Sequence, residues 1–346
     1  MSILDRITLA CANLSVWLRH PALSAAFWWR RKRPPLLATP CGVSELVQWR
    51  KIFDRNPLFP ILADKLAVKD WATAKLPGLR TAEVLWSGTR AADLPDELIR
   101  DDVVVKTNHG TRTNWFPARE KLSRPEWVSR LDGWLAQRFD TELQWAYGKV
   151  RPRLMVERLV GGGAPLWEMT FRCSDGHAAT AFVAVEQKTG AERSAYFTGA
   201  GERLAPKRGT PEAAQLPAEF VLPAIFFAAR EVAIQLSRGL DFVRVDLMVQ
   251  DGTVYLCEMT LYPGSGFSDE LATHTAGRIE RAWVAALGQS WFLATPQPWP
   301  LSLYAGALRR WAAARAAELA RTPLSPAERP LAPAPSPPPA PPDRGS

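Results

Sequence analysis

The chain has 346 residues, 47% of them hydrophobic, enough to build one large domain or two ordinary ones around a sizeable core. Its formal net charge of +8 favours acidic partners such as nucleotides, anionic polysaccharide or an anionic membrane surface. The basic residues are dispersed and form no zinc-ligand spacing, RNP-like motif or basic recognition helix, so no nucleic acid is expected as a partner. Cys11, Cys41, Cys173 and Cys257 form no C-x-x-C pair and no disulfide framework, which points to reduced thiols in a cytoplasmic protein. No run of about 18 apolar residues occurs, and no transmembrane helix is expected.

In chain order, residues 1–40 read as an amphipathic, basic N-terminal segment. Ile3 to Trp29 is apolar but interrupted by Asp5, Arg6, Arg19 and His20, and Trp28-Trp29-Arg30-Arg31-Lys32-Arg33 follows. A secretory signal carries its charge before an unbroken apolar stretch; here the charge comes last. Tryptophans beside a basic cluster suit peripheral contact with a membrane surface through residues 1–35. An amphipathic helix docked on the protein's own body fits the same pattern.

Residues 41–295 alternate helical and strand patterns. Asp64 to Lys75 predicts a helix capped by Asp64 and ended by Pro77-Gly78. Val103-Val104-Val105 is a buried strand by its apolar, β-branched run. Ser123-Arg124-Pro125-Glu126 is a helix start with a hydroxyl cap, an early proline and an acid in the first turn, continuing to about Phe139. Arg153 to Val160 and Trp167 to Cys173 predict strands separated by Gly161-Gly162-Gly163. Ala179 to Val185 is a further strand and Pro217 to Leu236 a long helix. Phe242 to Val249 and Thr253 to Thr260 form a hairpin. Residues 296–321 hold a C-terminal helix, from Leu303 to Arg321. Residues 322–346 are so rich in proline that a disordered tail is expected.

The hairpin carries the most chemistry. Alternation puts Arg244, Asp246 and Met248 on one face of the first strand, and Val254, Leu256, Glu258 and Thr260 on one face of the second. A two-residue Asp251-Gly252 turn would pair Asp246 with Cys257 and leave Glu258 on the other face. A three-residue Gln250-Asp251-Gly252 turn would pair Asp246 with Leu256 and set Asp246 and Glu258 diagonally on one face, roughly 7 Å apart at the backbone. The second register suits carboxylates holding one or two Mg²⁺ ions, whereas a hairpin with a charged solvent face is the plainer alternative. Lys106 ends the buried strand and enters Thr107-Asn108-His109-Gly110-Thr111, a small polar loop able to close over phosphate. Lys65 follows Asp64 at a helix start, where a phosphate could offset its opposition to the helix dipole. Glu157 precedes three glycines, as in a hinge near 157–163 that recognises an adenine and ribose edge.

Taken in order, these pieces resemble an ATP-grasp protein, and more closely the TupA-like ATP-grasp family associated with bacterial surface polysaccharide and teichuronopeptide synthesis. The matching stretches are Ala63-Asp64-Lys65, Val104-Val105-Lys106-Thr107-Asn108-His109-Gly110, Val156-Glu157, Val243-Arg244-Val245-Asp246, and Glu258-Met259-Thr260-Leu261-Tyr262-Pro263-Gly264-Ser265-Gly266-Phe267. The resemblance implies an α+β ATP-grasp fold, with two α+β lobes and a nucleotide cleft between them. It implies ATP and Mg²⁺ as cofactors and carboxylate and amine substrates, whether uronic acid, amino acid or glycan-linked, joined through an acyl-phosphate with release of ADP and phosphate. A glycan kinase and a non-catalytic glycan or membrane-surface module on the same fold are the alternatives.

Carried over by position, Lys65 and Lys106 contact phosphates and Asn108, His109, Gly110 and Thr111 form the loop over them. Glu157 sits at the adenine and ribose side. Asp246 and Glu258 bind Mg²⁺, with Thr260 where many relatives have a metal-binding asparagine. Lys106 and Arg244 are the expected catalytic pair, Arg244 steadying a phosphate or the substrate carboxylate. Where the family has an acidic-aromatic-lysine strand motif this sequence has Glu168-Met169-Thr170, leaving Lys188 or Arg193 to supply the missing charge.

Overall fold

The computed structural model describes residues 1–161, 166–185, 192–268 and 275–331. The chain opens with helices α1 (Ile3–Arg19) and α2 (Pro21–Arg31). Ser2 caps α1 by exchanging hydrogen bonds with Asp5, and Pro21 starts α2 where a backbone N–H has no helical partner in any case. Next come α3 (Val43–Phe53), α4 (Phe59–Ala63), α5 (Ala67–Lys75), β1 (Arg80–Thr81) and β2 (Val84–Gly88). They are followed by β3 (Val103–Thr107), β4 (Asn114–Trp115), α6 (Arg124–Leu135) and β5 (Leu154–Arg158). The remainder holds β6 (Trp167–Ser174), β7 (His177–Val185), β8 (Arg193–Thr198), α7 (Ile225–Ser237), β9 (Val243–Gln250) and β10 (Thr253–Thr260). It closes with α8 (Ala276–Ala286), α9 (Trp291–Ala294) and α10 (Leu301–Arg321).

The strands form two sheets, one of four in the order β2-β5-β3-β4 and one of six in the order β1-β10-β9-β6-β7-β8. In the smaller sheet Val103, Val105, Leu154 and Val156 share a core with Trp115, Trp127 and Leu131. Alternation therefore turns Val104, Lys106, Met155 and Glu157 to the opposite face. In the larger sheet Met169, Phe171, Val243, Val245 and Leu247 pack under Phe226 and Ala229 of α7 and Ile279 and Trp283 of α8. The same rule sends Thr170, Arg244 and Asp246 the other way. Each sheet thus keeps one strand face for its own core and carries its charged strand residues, Lys106 and Glu157 in one and Arg244 and Asp246 in the other, on the opposite face.

Several element boundaries differ from expectation for identifiable reasons. Helix α5 starts at Ala67, after a turn at Lys65 and Leu66. Helix α7 starts only at Ile225, since Pro217 and Pro223 cannot donate backbone hydrogen bonds inside a helix. The N-terminal and C-terminal helices are not appendages: α1 packs on α10, α10 packs on α8, and Leu9, Val16, Phe27, Leu308 and Leu319 belong to the large core. The first ten residues of the expected disordered tail also lie on the body. Glu328 accepts from the Gly277 N–H, and the Leu331 N–H donates to the Arg203 carbonyl at 2.8 Å. Residues 332–346 of that tail, and Gly162 and Gly163 of the expected hinge, lie outside the described residues.

Candidate functional site

Strands β9 and β10 meet in a two-residue turn, with Asp251 at φ 47° and Gly252 at φ 72°. That left-handed pair matches the twist of a tight hairpin. From the turn the ladder runs Val249 to Val254, Met248 to Tyr255 and Leu247 to Leu256. Regular continuation would oppose Asp246 to Cys257. Instead the register shifts between Leu256 and Glu258, Cys257 bulges out, and Glu258 lies directly opposite Asp246. Neither expected register holds. The turn is the short one, yet the carboxylates share a face because one extra residue resets the alternation. The same shift sends Leu256 to the buried face with Met259, away from Glu258.

Both carboxylates accept from Arg244. Its Nη2 lies 2.6 Å from Asp246 Oδ2 and 3.0 Å from Glu258 Oε1. Carboxylates that converge on one cationic nitrogen can converge on a divalent ion, and an all-oxygen donor set suits Mg²⁺. Among the described residues no three or more His, Cys, Asp or Glu side chains gather to hold a metal. A metal ion held here would take two carboxylates from the protein, with phosphate oxygens and water completing its shell. Burial pushes the Asp246 carboxyl up, with Arg244 pulling against it. Burial also works on Glu258, but Lys65 and Arg244 outweigh it and hold that carboxyl below the usual range.

Two lysines on different elements face these carboxylates, Lys65 from the α4–α5 turn, which packs with the large core, and Lys106 from the smaller sheet. Lys65 sits in the turn before α5, where Asp64 Oδ1 accepts from the Leu66 N–H at 2.8 Å and the Lys65 N–H donates to the Asn108 carbonyl at 2.9 Å. Its Nζ donates to the Gly110 carbonyl at 2.5 Å and lies 3.4 Å from Glu258 Oε2. Lys106 projects from β3, with Nζ 2.5 Å from Glu157 Oε2 on β5. The other oxygen of Glu157 is 2.8 Å from Lys69 Nζ. Burial raises the Glu157 carboxyl, yet Lys106 and Lys69 outweigh it and keep it ionised below its ordinary value. Burial pulls Lys106 down and Glu157 more than restores it.

The loop after β3 divides into a part that supports and a part that faces the cleft. Asn108 is buried, its Nδ2 donating to the Arg151 carbonyl and its Oδ1 accepting from the Arg153 N–H. His109 is buried against Phe139, with Nε2 3.2 Å from the Gln137 carbonyl, and burial lowers its pKa. Neither lines the cleft; both fix the loop. Gly110 and Thr111 do line it. A side chain at Gly110 would place its Cβ 2.6 Å from Thr107 Oγ1 and 2.8 Å from Thr113 Oγ1, so only glycine fits that close approach. Glu157 is closed off behind its two lysines, and Thr260 stands 3.4 Å from Glu258 Oε1 without lining the cleft.

The open cleft encloses about 1080 Å³, solvent included, and is walled by Lys65, Lys106, Thr111, Arg244, Asp246 and Glu258. Among the wall residues that sequence reasoning did not assign to the site are Arg112, Glu168, Arg172 and Phe182. Period-two alternation from Thr170 along β6 was the available signal for Glu168 and Arg172. Of the two residues expected to replace the missing lysine, Arg193 is exposed at the start of β8 and does not line the cleft, and Lys188 lies outside the described residues. Thr170 pairs with Asp246 across β6 and β9 and hydrogen-bonds its carboxylate.

A family model described as TupA-like ATPgrasp matches residues 45–278. Among solved structures, the chain is similar to D-alanine–D-alanine ligase from Bacillus anthracis, at 19% identity over 77% of this chain and 72% of that one, with a TM-score of 0.35. It is similar to D-alanine–D-alanine ligase from Helicobacter pylori, at 15% identity over 71% and 68%, with a TM-score of 0.40. L-amino acid ligase from Bacillus licheniformis matches at 18% identity over 60% and 44%, with a TM-score of 0.35. None of the curated proteins matches the chain.

Proposed function

The chain belongs to the TupA-like ATP-grasp family, and from that premise we propose that it is a carboxylate–amine ligase that consumes ATP in bacterial surface polysaccharide or peptidyl-polysaccharide biosynthesis. The fold is the α+β ATP-grasp fold, two lobes about a nucleotide cleft, and ATP-grasp family members are ATP-dependent ligases. The observation that carries the reading is the convergence of Asp246 and Glu258 on a single cationic nitrogen, in a cleft that Lys65 and Lys106 also enter.

A divalent ion held by Asp246 and Glu258 would supply charge neutralisation around the transferred phosphoryl group. Lys106 of the smaller sheet and Lys65 of the α4–α5 turn bind phosphate oxygens, and the Gly110-Thr111 backbone lies over them. Phosphoryl transfer rests on such positioning and neutralisation more than on covalent help from the protein. Arg244, already built to grip carboxylates, orients the substrate carboxylate as it attacks the γ-phosphorus and ADP leaves. An amine then attacks the acyl carbon, the carbon–nitrogen bond forms, and phosphate departs. Lobe closure keeps water from competing with the amine. The acid and the amine are drawn from uronic acids, amino acids or glycan-linked groups. Because the reaction consumes ATP, its compartment in this reading is the cytoplasm.

The test is ADP release over a panel of amino acids, uronic acids and aminosugars, with Glu258→Ala as control. Release should require both a carboxylate and an amine, and the variant should lose it by more than about a hundredfold while melting like the parent. A phosphorylated product formed without any amine would make the protein a phosphotransferase instead. Failure to bind Mg-ATP in calorimetry would remove the enzyme reading altogether.

A further inference from the structure

Helix α1 is apolar on two faces, and among the described residues the protein's own body covers one of them. Leu9 and Val16 turn inward, as does Asp5, held by Arg310 of α10. On the opposite side Ile3, Leu4, Ile7, Leu14 and Leu18 fall within about a 100° arc at helical spacing. All five are exposed, Ile3 at 79% and Leu18 at 74%. The patch continues onto α2, where exposed Trp28 meets Trp17 of α1 edge-on at 6.3 Å and Trp29 is 73% exposed. The helix docked on the protein's own body is the reading that the packing bears out, for one stripe of α1; the other stripe stays exposed.

The surroundings of the open stripe are basic. Residues 1–35 contain Arg6, Arg19, Arg30, Arg31, Lys32 and Arg33 against a single acid, Asp5, and that acid is buried on the far side. Arg6, Arg19 and Lys32 are exposed, with Lys32 Nζ 4.1 Å above the Trp29 ring. We propose that this face docks the protein on an anionic lipid bilayer. Helix α1, about 25 Å long at 1.5 Å per residue, lies in the interfacial plane with its aliphatic row among the upper acyl chains. Trp28 and Trp29 sit at headgroup depth and the cations meet lipid phosphates. No helix among the described residues is long and apolar enough to cross a membrane, so the contact lies on the bilayer. A second copy is a poorer occupant, because two such faces would bring their Arg6, Arg19 and Lys32 side chains together, like charge against like. Docking would also orient the cleft, since Arg31 donates to the carbonyls of Gly266 and Ser268 and Phe27 packs on Phe267, in the loop that follows the Glu258 strand.

The experiment is flotation of the full chain with phosphatidylcholine vesicles, with and without phosphatidylglycerol. The protein should float only with the anionic vesicles, and less as salt rises. The I7E/L14E double variant should stay in the dense fraction. R19E and K32E should each lower partitioning by roughly tenfold or more. All four positions are exposed, so melting and Mg-ATP calorimetry should match the parent, which separates failure here from failure of the ligase reading. The proposal is overturned if the parent ignores anionic vesicles or if I7E/L14E floats as the parent does. It is equally overturned if sedimentation shows a dimer that I7E/L14E disperses and no lipid binding, since the face would then be a self-association surface.

Discussion

Replacing Glu157 by glutamine tests the cation wall directly. The side chain is buried, with Lys69 and Lys106 ammoniums at 2.8 and 2.5 Å on its two oxygens. Glutamine keeps the volume and one acceptor but removes the negative charge that the two lysines share. Removing one partner of a buried ion pair costs about 3–5 kcal/mol, and the retained acceptor argues for the lower end. At about 2 °C per kcal/mol for a large domain, Glu157→Gln should melt roughly 6 °C below the parent. The pH dependence has a definite sign. Glu157 is held below its ordinary value, so its contribution is present above the unfolded value of about 4.3 and is lost as pH falls through the folded one. The gap between parent and variant should therefore narrow in acid.

Mg-ATP makes the measurement specific to the site. A ligand at a hundredfold excess over its dissociation constant stabilises a fold by about 2.7 kcal/mol. In the variant the phosphates would also return negative charge to Lys106, so the melting increment on adding Mg-ATP should exceed the parent's. Differential scanning fluorimetry with and without nucleotide reads both quantities. A variant that melts like the parent would show that the buried pair contributes no net stability. A nucleotide increment equal to or below the parent's would sink Lys106 as a phosphate contact.

Three further outcomes follow from the same geometry. Arg244→Met should leave Asp246 and Glu258 as adjacent carboxylates with no bridging cation. In ADP-release assays the Mg²⁺ needed for half-saturation should fall several-fold while turnover drops by more than about tenfold; an unchanged Mg²⁺ requirement would mean the guanidinium does not compete with the ion. Burial raises Glu45 to about 7 despite Arg33 at 3.2 Å. A raised carboxyl supports the fold at low pH and loses that support as pH climbs through the folded value, so parent stability should decline from about pH 5 to 8 and Glu45→Gln should make that decline shallower, Asp54, also raised by burial, keeping its share. Parallel melting profiles would refute the assignment. Deleting Cys257 removes the bulged residue and leaves Glu258 next in line to pair with Asp246, so Mg-ATP affinity by calorimetry should stay within roughly tenfold. A folded variant that no longer binds would show that the bulge does more than set the register.

What was legible in the sequence was whatever depends on short-range pattern. Val103 to Val105 gave a buried strand from composition, and Ser123 to Glu126 gave a capped helix that forms as expected, with its capping box, at α6. The facing of Asp246 and Glu258 was harder, because it turns on a single residue. Simple alternation from the observed two-residue turn separates them, and only the bulge at Cys257 reunites them. A bulge depends on what the neighbouring strands and cleft demand, so no local pattern announces it. The status of Glu157 was hidden for a similar reason. Lys69 lies on α5, far away in the chain, and only the folded chain brings it to within 2.8 Å of the carboxylate. Asn108 and His109 looked like ligand groups because they are polar and flank a glycine, yet their partners are backbone groups of Arg151, Arg153 and Gln137.

Alternation along β6 puts Glu168, Thr170 and Arg172 on the cleft face. A lysine at position 170 would put its ammonium beside Asp246, where Thr170 now donates a hydrogen bond. Arg172 projects from the same face one pleat repeat away, about 6.6 Å along the strand, a distance an arginine side chain can span. Its register partner on β9 is Arg244. Two guanidiniums opposite one another on paired strands repel, and a sheet tolerates such a pair only where anions compensate. Asp246, Glu258 and Glu168 supply part of that compensation from the cleft wall, while Lys65, Lys106 and Arg112 add further positive charge to it. Five cations against three carboxylates leave this wall poised for a polyanion, and a nucleotide triphosphate meets that demand better than a neutral glycan could.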